Sequence, residues 1–281
     1  FSPALENLPQ PPPSAPLSKA PDPGLVERTV VGTLPVVGRD GRKAWQVYAR
    51  PFNSVEKRLK ISVVLYGLGH REFATRVAIQ GLPGAITLAF MPYARRLTSW
   101  MAEARMAGHE VLMMVPMEPI NYPGDDPGPQ ALLTSLTLSD NTKRLEWMLG
   151  RGSGYVGVTD FMGSRFTNST KHMKAFLGNL KKRGLLFVKS RVSAQPISRK
   201  ISAASRIPFA KSALFIDSQA SRVAIDAQLL KTEKLARRHG SVVVMGGLIP
   251  VTIERVAKWA ATVEERGFVL APVSSQITLS N

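Results

Sequence analysis

The residues most suited to chemistry in this chain stand directly after its apolar runs: Tyr66, Tyr93, Glu118, Tyr122, Asp160, Arg165, Lys189, Arg191 and Asp217. Glu118 and Asp160 follow neighbouring runs, and two carboxylates so placed are the usual equipment for general acid and base work. The cations Arg165, Lys189 and Arg191 fall at the same ends and are expected to pair with them. Pairing holds both acids ionised and unsuited to donate a proton. A hydrolytic zinc centre needs several His and carboxylate ligands converging on one point. The four histidines do not supply them: His109 and His239 precede strands, His172 lies within a helical segment, and only His70 follows a strand. Nucleophilic Ser-His chemistry fails by the same count. Met113, Met114, Met117, Met162 and Met245 gather near strand ends, but at such positions methionine is expected to fill core rather than bind copper.

What must position these residues is a series of short β-branched runs. Ile61 to Gly69 is the first, an apolar stretch stopping on Gly-x-Gly. Similar runs follow at Ile86 to Phe90, Val111 to Val115, Tyr155 to Thr159, Leu185 to Val188, Leu214 to Ile216, Val242 to Met245 and Phe268 to Ala271. Segments of helical composition separate most of them. Strands alternating with helices predict a parallel sheet, either closed as an α/β barrel or open and doubly wound. In both, ligands meet the C-terminal ends of the strands. The loop Asn121 to Pro129, rigid with proline, is a candidate wall there, whereas Gly150 to Gly154 precedes a strand and reads as a connector rather than a phosphate loop.

Residues 1–43 hold nine prolines by Pro35 and little that could form a core, so they are expected to run as an extended linker, with one domain over residues 44–281. Trp45 to Phe52 is too aromatic for a solvated linker and should pack along that domain. The 281 residues carry 37 Lys and Arg against 20 Asp and Glu, a formal charge of +17. From Phe161 through Ile216 there are twelve basic residues and no acidic one. Such a window favours an anionic surface or polymer. Specific nucleic-acid binding is not expected, because the window's phenylalanines fall mostly at core positions rather than where bases could stack. There is no cysteine, which excludes disulfides and thiolate metal sites, and no run approaches the roughly 20 apolar residues of a membrane span. The chain opens on Phe1, which fits a removed signal, an anchor upstream or an arbitrary boundary.

The chain resembles the divergent polysaccharide deacetylase family, a periplasmic branch of the carbohydrate esterase barrels, from about Trp45 to Ser274. The resemblance is carried by Thr87 to Ala94, Gly108-His-Glu-Val-Leu112, Pro116-Met-Glu-Pro119, Asp125-Asp-Pro-Gly-Pro129, Gly154 to Thr159, Met162-Gly-Ser-Arg-Phe-Thr167 and Pro272-Val-Ser274. It implies a (β/α) barrel of seven to eight parallel strands with an extended N-terminal segment. It also implies a zinc-dependent reaction in active members, with an Asp-Asp pair after the first strand. Here those places hold Tyr66 and Gly67. Met114 and Phe161 stand where histidines are usual, Lys189 where an Asp is expected, and Gly247 where another His is expected.

A catalytically inactive domain is the reading that follows, with no zinc and no other cofactor, in the bacterial periplasm and tethered to the inner membrane if an anchor precedes Phe1. It would bind a cell-wall glycan or an envelope protein through Tyr66, Tyr93, Glu118, Tyr122, Asp160, Arg165, Lys189 and Arg191. The alternative is an active carbohydrate hydrolase that uses Glu118 and Asp160 by a changed mechanism.

Overall fold

The structure is a computed structural model that describes residue 5, residues 7–190 and residues 206–277. Its centre is a parallel sheet built on β3 (Leu59–Leu68), β4 (Thr87–Phe90), β5 (Val111–Met117), β6 (Gly157–Met162), β7 (Leu186–Lys189), β8 (Phe209–Lys211), β9 (Leu214–Phe215), β10 (Ser241–Gly247) and β11 (Phe268–Leu270). The hydrogen-bonded order is β8-β7-β6-β5-β4-β3-β10-β9, with β11 on β3. All eight expected strands are present.

Strand order decides between the two architectures. Neighbours in the sheet are almost all neighbours in sequence, without the reversal that splits a doubly wound sheet into halves. The ends of the order, β8 and β9, are separated only by Ser212 and Ala213. The Ser212 amide donates to Lys189 O (2.9 Å) and the Ala213 amide to Val243 O (2.8 Å), so successive peptides bond first to β7 and then to β10. One short stretch of chain thus joins the two ends, and the sheet curls into a deacetylase-like barrel. β10 takes Lys60 to Tyr66 along one edge of β3, while β11 takes Leu59 to Ile61 and β4 takes Val64 to Leu68 along the other.

Helices α2 (Glu72–Gly81), α3 (Leu97–Met106), α4 (Leu138–Leu149), α5 (Thr170–Lys182), α6 (Arg222–His239) and α7 (Pro250–Ala260) are the crossovers. Two of the starts are set by side chains that accept the first free amides: Thr137 from Asp140 N at α4 and Ser221 from Ala224 N at α6. Their apolar faces bury Trp100 and Met101, Leu145 and Met148, Phe176 and Leu177, and Ile225 and Leu229 against the strands. None of the described helices is long and apolar enough to cross a membrane.

The N-terminal segment departs from the expected free linker. Val26–Thr29 (β1) and Gly32–Pro35 (β2) form an antiparallel hairpin, and Leu25 and Leu34 are buried. Gly32 takes a positive φ of 122° and lies so close to Gly150 that a side chain there would overlap backbone. Upstream, the Leu17 amide donates to Arg105 O and the Asp22 amide to Tyr48 Oη. Proline kept this stretch extended, but extended chain can still lie against a barrel when a few leucines have somewhere to go, each worth about 1.5–3 kcal/mol if fully buried. Ala44–Val47 (α1) and the buried Tyr48 pack along the domain as expected of that aromatic stretch.

Candidate binding cavity at the C-terminal rim

The strands β3, β5, β6, β7 and β10 end around an open cavity of about 410 Å³. Tyr66, Phe161 and Phe215 provide its aromatic wall, Pro119, Met162 and Met245 add apolar surface, and Asp125, Asp160, Ser164 and Ser190 are the polar members. Tyr66 at the end of β3 stands edge-on to Phe215, with ring centroids 5.6 Å apart and planes at 89°. Met162 follows Phe161 with φ 59°, a left-handed conformation rare for a side chain of its size, and it is exposed at the cavity.

Asp160 is the buried carboxylate of this rim, and its oxygens are engaged. Lys189 Nζ donates to Oδ2 at 2.6 Å, Ser190 N donates to Oδ1 at 2.7 Å, and Ser190 Oγ donates to Oδ2 at 2.9 Å. β6 and β7 pair in parallel at Thr159 and Val188, so the residues one step further along, Asp160 and Lys189, arrive side by side at the end of the ladder. Lys189 and Asp160 are both almost fully buried, where a charge persists only if it is paired.

Glu118 is buried too but points elsewhere. Its Oε2 accepts from the amide and the hydroxyl of Thr134, and Oε1 lies 3.7 Å from Arg165 Nε. Its backbone is equally committed: the amide donates to Leu132 O and the carbonyl accepts from Arg165 N and Phe166 N. Glu118 therefore ties the 132–134 segment to the turn after β6, and it does not line the cavity. Glu118 and Asp160 are thus separately engaged, each by its own set of hydrogen-bond partners.

The remaining expected ligand-binding residues divide in the same way. Tyr66 and Asp160 line the cavity, and Lys189 reaches it only through Asp160. Tyr93 is a support: its hydroxyl accepts from Gln130 N (3.1 Å), its ring packs beside Trp147, and Gly128 passes directly across it. Burial pushes the Tyr93 hydroxyl above its ordinary pKa. Tyr122 sits in the loop after β5, with its amide donating to Pro119 O, outside the cavity lining. Arg165 is exposed and donates to Ile120 O (2.7 Å). Arg191 lies outside the described residues. Asp217, also at this rim, accepts from Gly247 N (2.6 Å) and Thr252 Oγ1 (2.9 Å) and thereby fastens the start of α7 to the end of β10.

Ser190, Ser164 and Phe215 line the cavity without being marked as site residues by the sequence, whereas Asp125 arrives with the 121–129 loop expected as a wall and Met245 comes from the strand-end methionines expected to fill core. Ser190 could have been found, since it follows Lys189 at a strand end. Ser164 and Phe215 come to the wall through the turn after β6 and the closing stretch at 209–215, which no local pattern announces.

The positions that correspond to the family's metal and base residues form a contact set of their own. Met114 Sδ accepts from Gly67 N at 3.1 Å, and the Tyr66 ring stands close to Gly247. Thioether, phenol, glycine and ammonium are not a ligand set for a divalent zinc, which takes imidazole, carboxylate or thiolate. Among the described residues no group of three or more His, Cys, Asp or Glu is placed to hold a metal ion. These residues do not fit the zinc site that the family resemblance implies.

A parallel barrel with a cavity at its C-terminal rim, reached through crossover helices, is the architecture of deacetylase-like (β/α) barrels. The family model for divergent polysaccharide deacetylases matches residues 63–277, and the chain belongs to that family. It is similar to the uncharacterized protein YibQ of Escherichia coli K12, 25% identical over 195 residues, which are 69% of this chain and 60% of that protein. An uncharacterized Haemophilus influenzae protein is 23% identical over 194 residues, 69% of this chain and 68% of its own length. The crystal structure of the uncharacterized protein ATU2773 from Agrobacterium tumefaciens C58 superposes with a TM-score of 0.85 at 33% identity, covering 87% of this chain and 99% of that one.

Proposed function

We propose that this domain is a catalytically inactive member of its family that works in the bacterial periplasm by binding a cell-wall glycan in the C-terminal rim cavity. The observation that carries the reading is the state of Asp160: the one buried carboxylate lining the cavity is held by Lys189 and Ser190, beside Tyr66, Gly67 and Met114 where the family's ion and base would be assembled. Deacetylation requires an electrophile to polarise the acetyl carbonyl and a base of near-neutral pKa. A carboxylate whose oxygens are already engaged by Lys189 and Ser190 is no electrophile and is not free to take up the role of the base. The wall of Tyr66, Phe161 and Phe215 supports binding instead, because flat rings flanked by a few polar groups suit the apolar faces and hydroxyls of a sugar. On this reading the protein takes no zinc, and its net charge of +17 favours residence near anionic envelope polymers or lipid.

The test is equilibrium binding of purified peptidoglycan fragments, with wild-type protein and Tyr66→Ala compared by calorimetry. Saturable binding lost in the variant is expected; binding of an envelope protein at this cavity, and of no glycan, would move the assignment to a protein partner. Incubation with acetylated chitooligosaccharides and peptidoglycan, with and without added zinc and read by mass spectrometry, is expected to give no deacetylated product. Turnover abolished by Glu118→Gln or Asp160→Asn would overturn the inactive reading in favour of a metal-free hydrolase.

A further inference from the structure

At the opposite end of the barrel, the parallel pairing of β3 with β10 brings together two basic stretches that lie far apart in sequence, Lys57-Arg58-Leu59-Lys60 and Arg237-Arg238-His239. Ser241 is opposite Lys60 in the ladder, and Lys60 N donates to Gly240 O (3.1 Å). Between the stretches is an open cleft of about 470 Å³, with Lys57 and Lys60 on one side, Gly240 and Ser241 on another, and Gln276 completing it. Arg238 and His239 lead directly into Gly240 and are exposed.

The cations here fall into two groups. Arg58 is committed to Glu56 (2.8 Å) and Glu264 (3.2 Å), and Arg237 packs over Phe268 and donates to Arg266 O. Lys57, Lys60 and Arg238 have no ion pair among the described residues, and Lys60 is steadied only by lying 5.5 Å over the Phe52 ring. The Gln276 Nε2 is buried with no hydrogen-bond partner among the described residues, an unmatched donor in the cleft wall. Two uncommitted lysines line one concavity, Arg238 stands two residues ahead of Gly240 in its wall, and Glu56, the acid that lines it, is already taken by Arg58. These cations match a dianionic group with several acceptor oxygens.

We infer that this cleft at the N-terminal rim is a binding site for a phosphoryl group, separate from the cavity at the C-terminal rim and independent of what that cavity holds. The phosphoryl group is either that of a soluble phosphoester or the headgroup of an anionic lipid. The site lies where both basic stretches face outward, so a headgroup in a bilayer surface could reach it without any segment entering the membrane.

The full chain is titrated with inorganic phosphate and followed through its backbone amide resonances. The expected result is saturable shifts centred on Lys60, Gly240 and Ser241, with affinity weakened about tenfold or more in Lys57→Gln/Lys60→Gln. The same weakening in Arg238→Gln, a fully surface change, keeps the test open if the double variant melts lower than wild type. A control, Lys171→Gln/Lys174→Gln on the exposed face of α5, removes the same charge and should bind as wild type. Sedimentation with phosphatidic acid vesicles, against phosphatidylcholine vesicles, separates the sources. Vesicle binding lost in the cleft variants assigns the headgroup, and phosphate binding without vesicle binding assigns a soluble phosphoester. Shifts spread equally over the lysines of α5, or cleft variants that bind like wild type, would overturn the proposal.

Discussion

The buried charges around Glu110 at one rim and the Asp160–Lys189 pair at the other find different partners. At the N-terminal rim, buried charged groups bind backbone: Glu110 accepts from Arg50 N and Ser274 N, and Arg105 donates to the carbonyls of Tyr48, Gly154 and Ser18. The buried His109 has both ring nitrogens on carbonyls, Ile86 O at 2.8 Å and Ile79 O at 3.0 Å. Each of these side chains fastens a remote segment, the N-terminal strap, the 272–277 turn or the end of α2. At the C-terminal rim, Asp160 and Lys189 are spent on each other and on Ser190, beside an open cavity. The motif Gly108-His-Glu-Val-Leu112 belongs to the first rim, and the departures at Tyr66, Gly67, Met114, Phe161 and Lys189 belong to the second. One motif of the resemblance thus lies where the barrel is held together, and the positions at which the chain departs from the resemblance gather around the cavity.

The largest test of this contrast is Lys189→Ala. If the pair is structural, removing its cation strands a buried carboxylate, and chemical denaturation should show a loss of about 3–5 kcal/mol. The double change Asp160→Asn/Lys189→Met should recover most of it, since no unpaired charge is left buried and the amide oxygen can still accept from Ser190. A lysine whose loss hardly affects stability but abolishes glycan binding would mean that it faces ligand instead. At the other rim, Arg105→Ala should cost about 2–3 kcal/mol, because three buried carbonyls lose a charged donor. Burial already lowers the Arg105 pKa to about 10, and its place under the strap means that limited proteolysis should cut residues 7–24 faster in the variant.

The N-terminal rim also predicts a pH dependence of stability. Burial lowers the His109 pKa below its ordinary 6.5 in spite of its two carbonyl contacts, so the unfolded chain takes up a proton that the folded chain refuses. Stability should then fall as pH drops below 6.5, by up to about 1.4 kcal/mol per unit. Glu110 acts in the opposite sense: burial raises its pKa above 4.5, so the folded state binds the proton more readily and gains stability as pH falls through the raised value. Arg50 and Arg105 are the cations that bear on the pair. Urea midpoints measured between pH 7.5 and 5 should decline in wild type, flatten in His109→Asn and decline more steeply in Glu110→Gln.

How much of this could be read from sequence differs by rim as well. The eight strand runs were legible because a buried parallel strand is a continuous β-branched stretch, and the Asp160–Lys189 meeting followed from two strand ends in register. Of the cations expected to pair with the two acids, Arg165 lies 3.7 Å from Glu118. The Thr134 latch on Glu118 was not legible, because a contact over sixteen residues of irregular loop leaves no periodic trace. Nor was the hairpin at Val26–Pro35, whose two strands of four residues are too short to show alternation amid so much proline. The nine-proline segment looked free for the same reason: its attachment depends on Arg105 and Tyr48, which are distant in sequence.

The smallest expected effect concerns zinc. Tyr66→Asp alone should bring no zinc uptake in calorimetry, since one carboxylate beside Met114 and Lys189 is not a site. The five changes Tyr66→Asp, Gly67→Asp, Met114→His, Phe161→His and Gly247→His should give weak, saturable uptake if the backbone is still that of the family. The structure says where this is constrained. Gly67 has φ 88°, so an aspartate there is strained although the nearest atom to its Cβ, on Leu248, is 4.0 Å away. At Gly247 a Cβ would come within 3.2 Å of Asp217 Oδ2 and 3.5 Å of the Tyr66 hydroxyl, so the histidine gains room only once Tyr66 is shortened. Met114 must leave the Gly67 amide before an imidazole can take its place. Lys189 still opposes a dication nearby, and replacing it with Asp in the five-fold variant should tighten zinc further. Uptake near stoichiometry by the unmodified protein at this rim would instead show that the contrast between the rims has been misread.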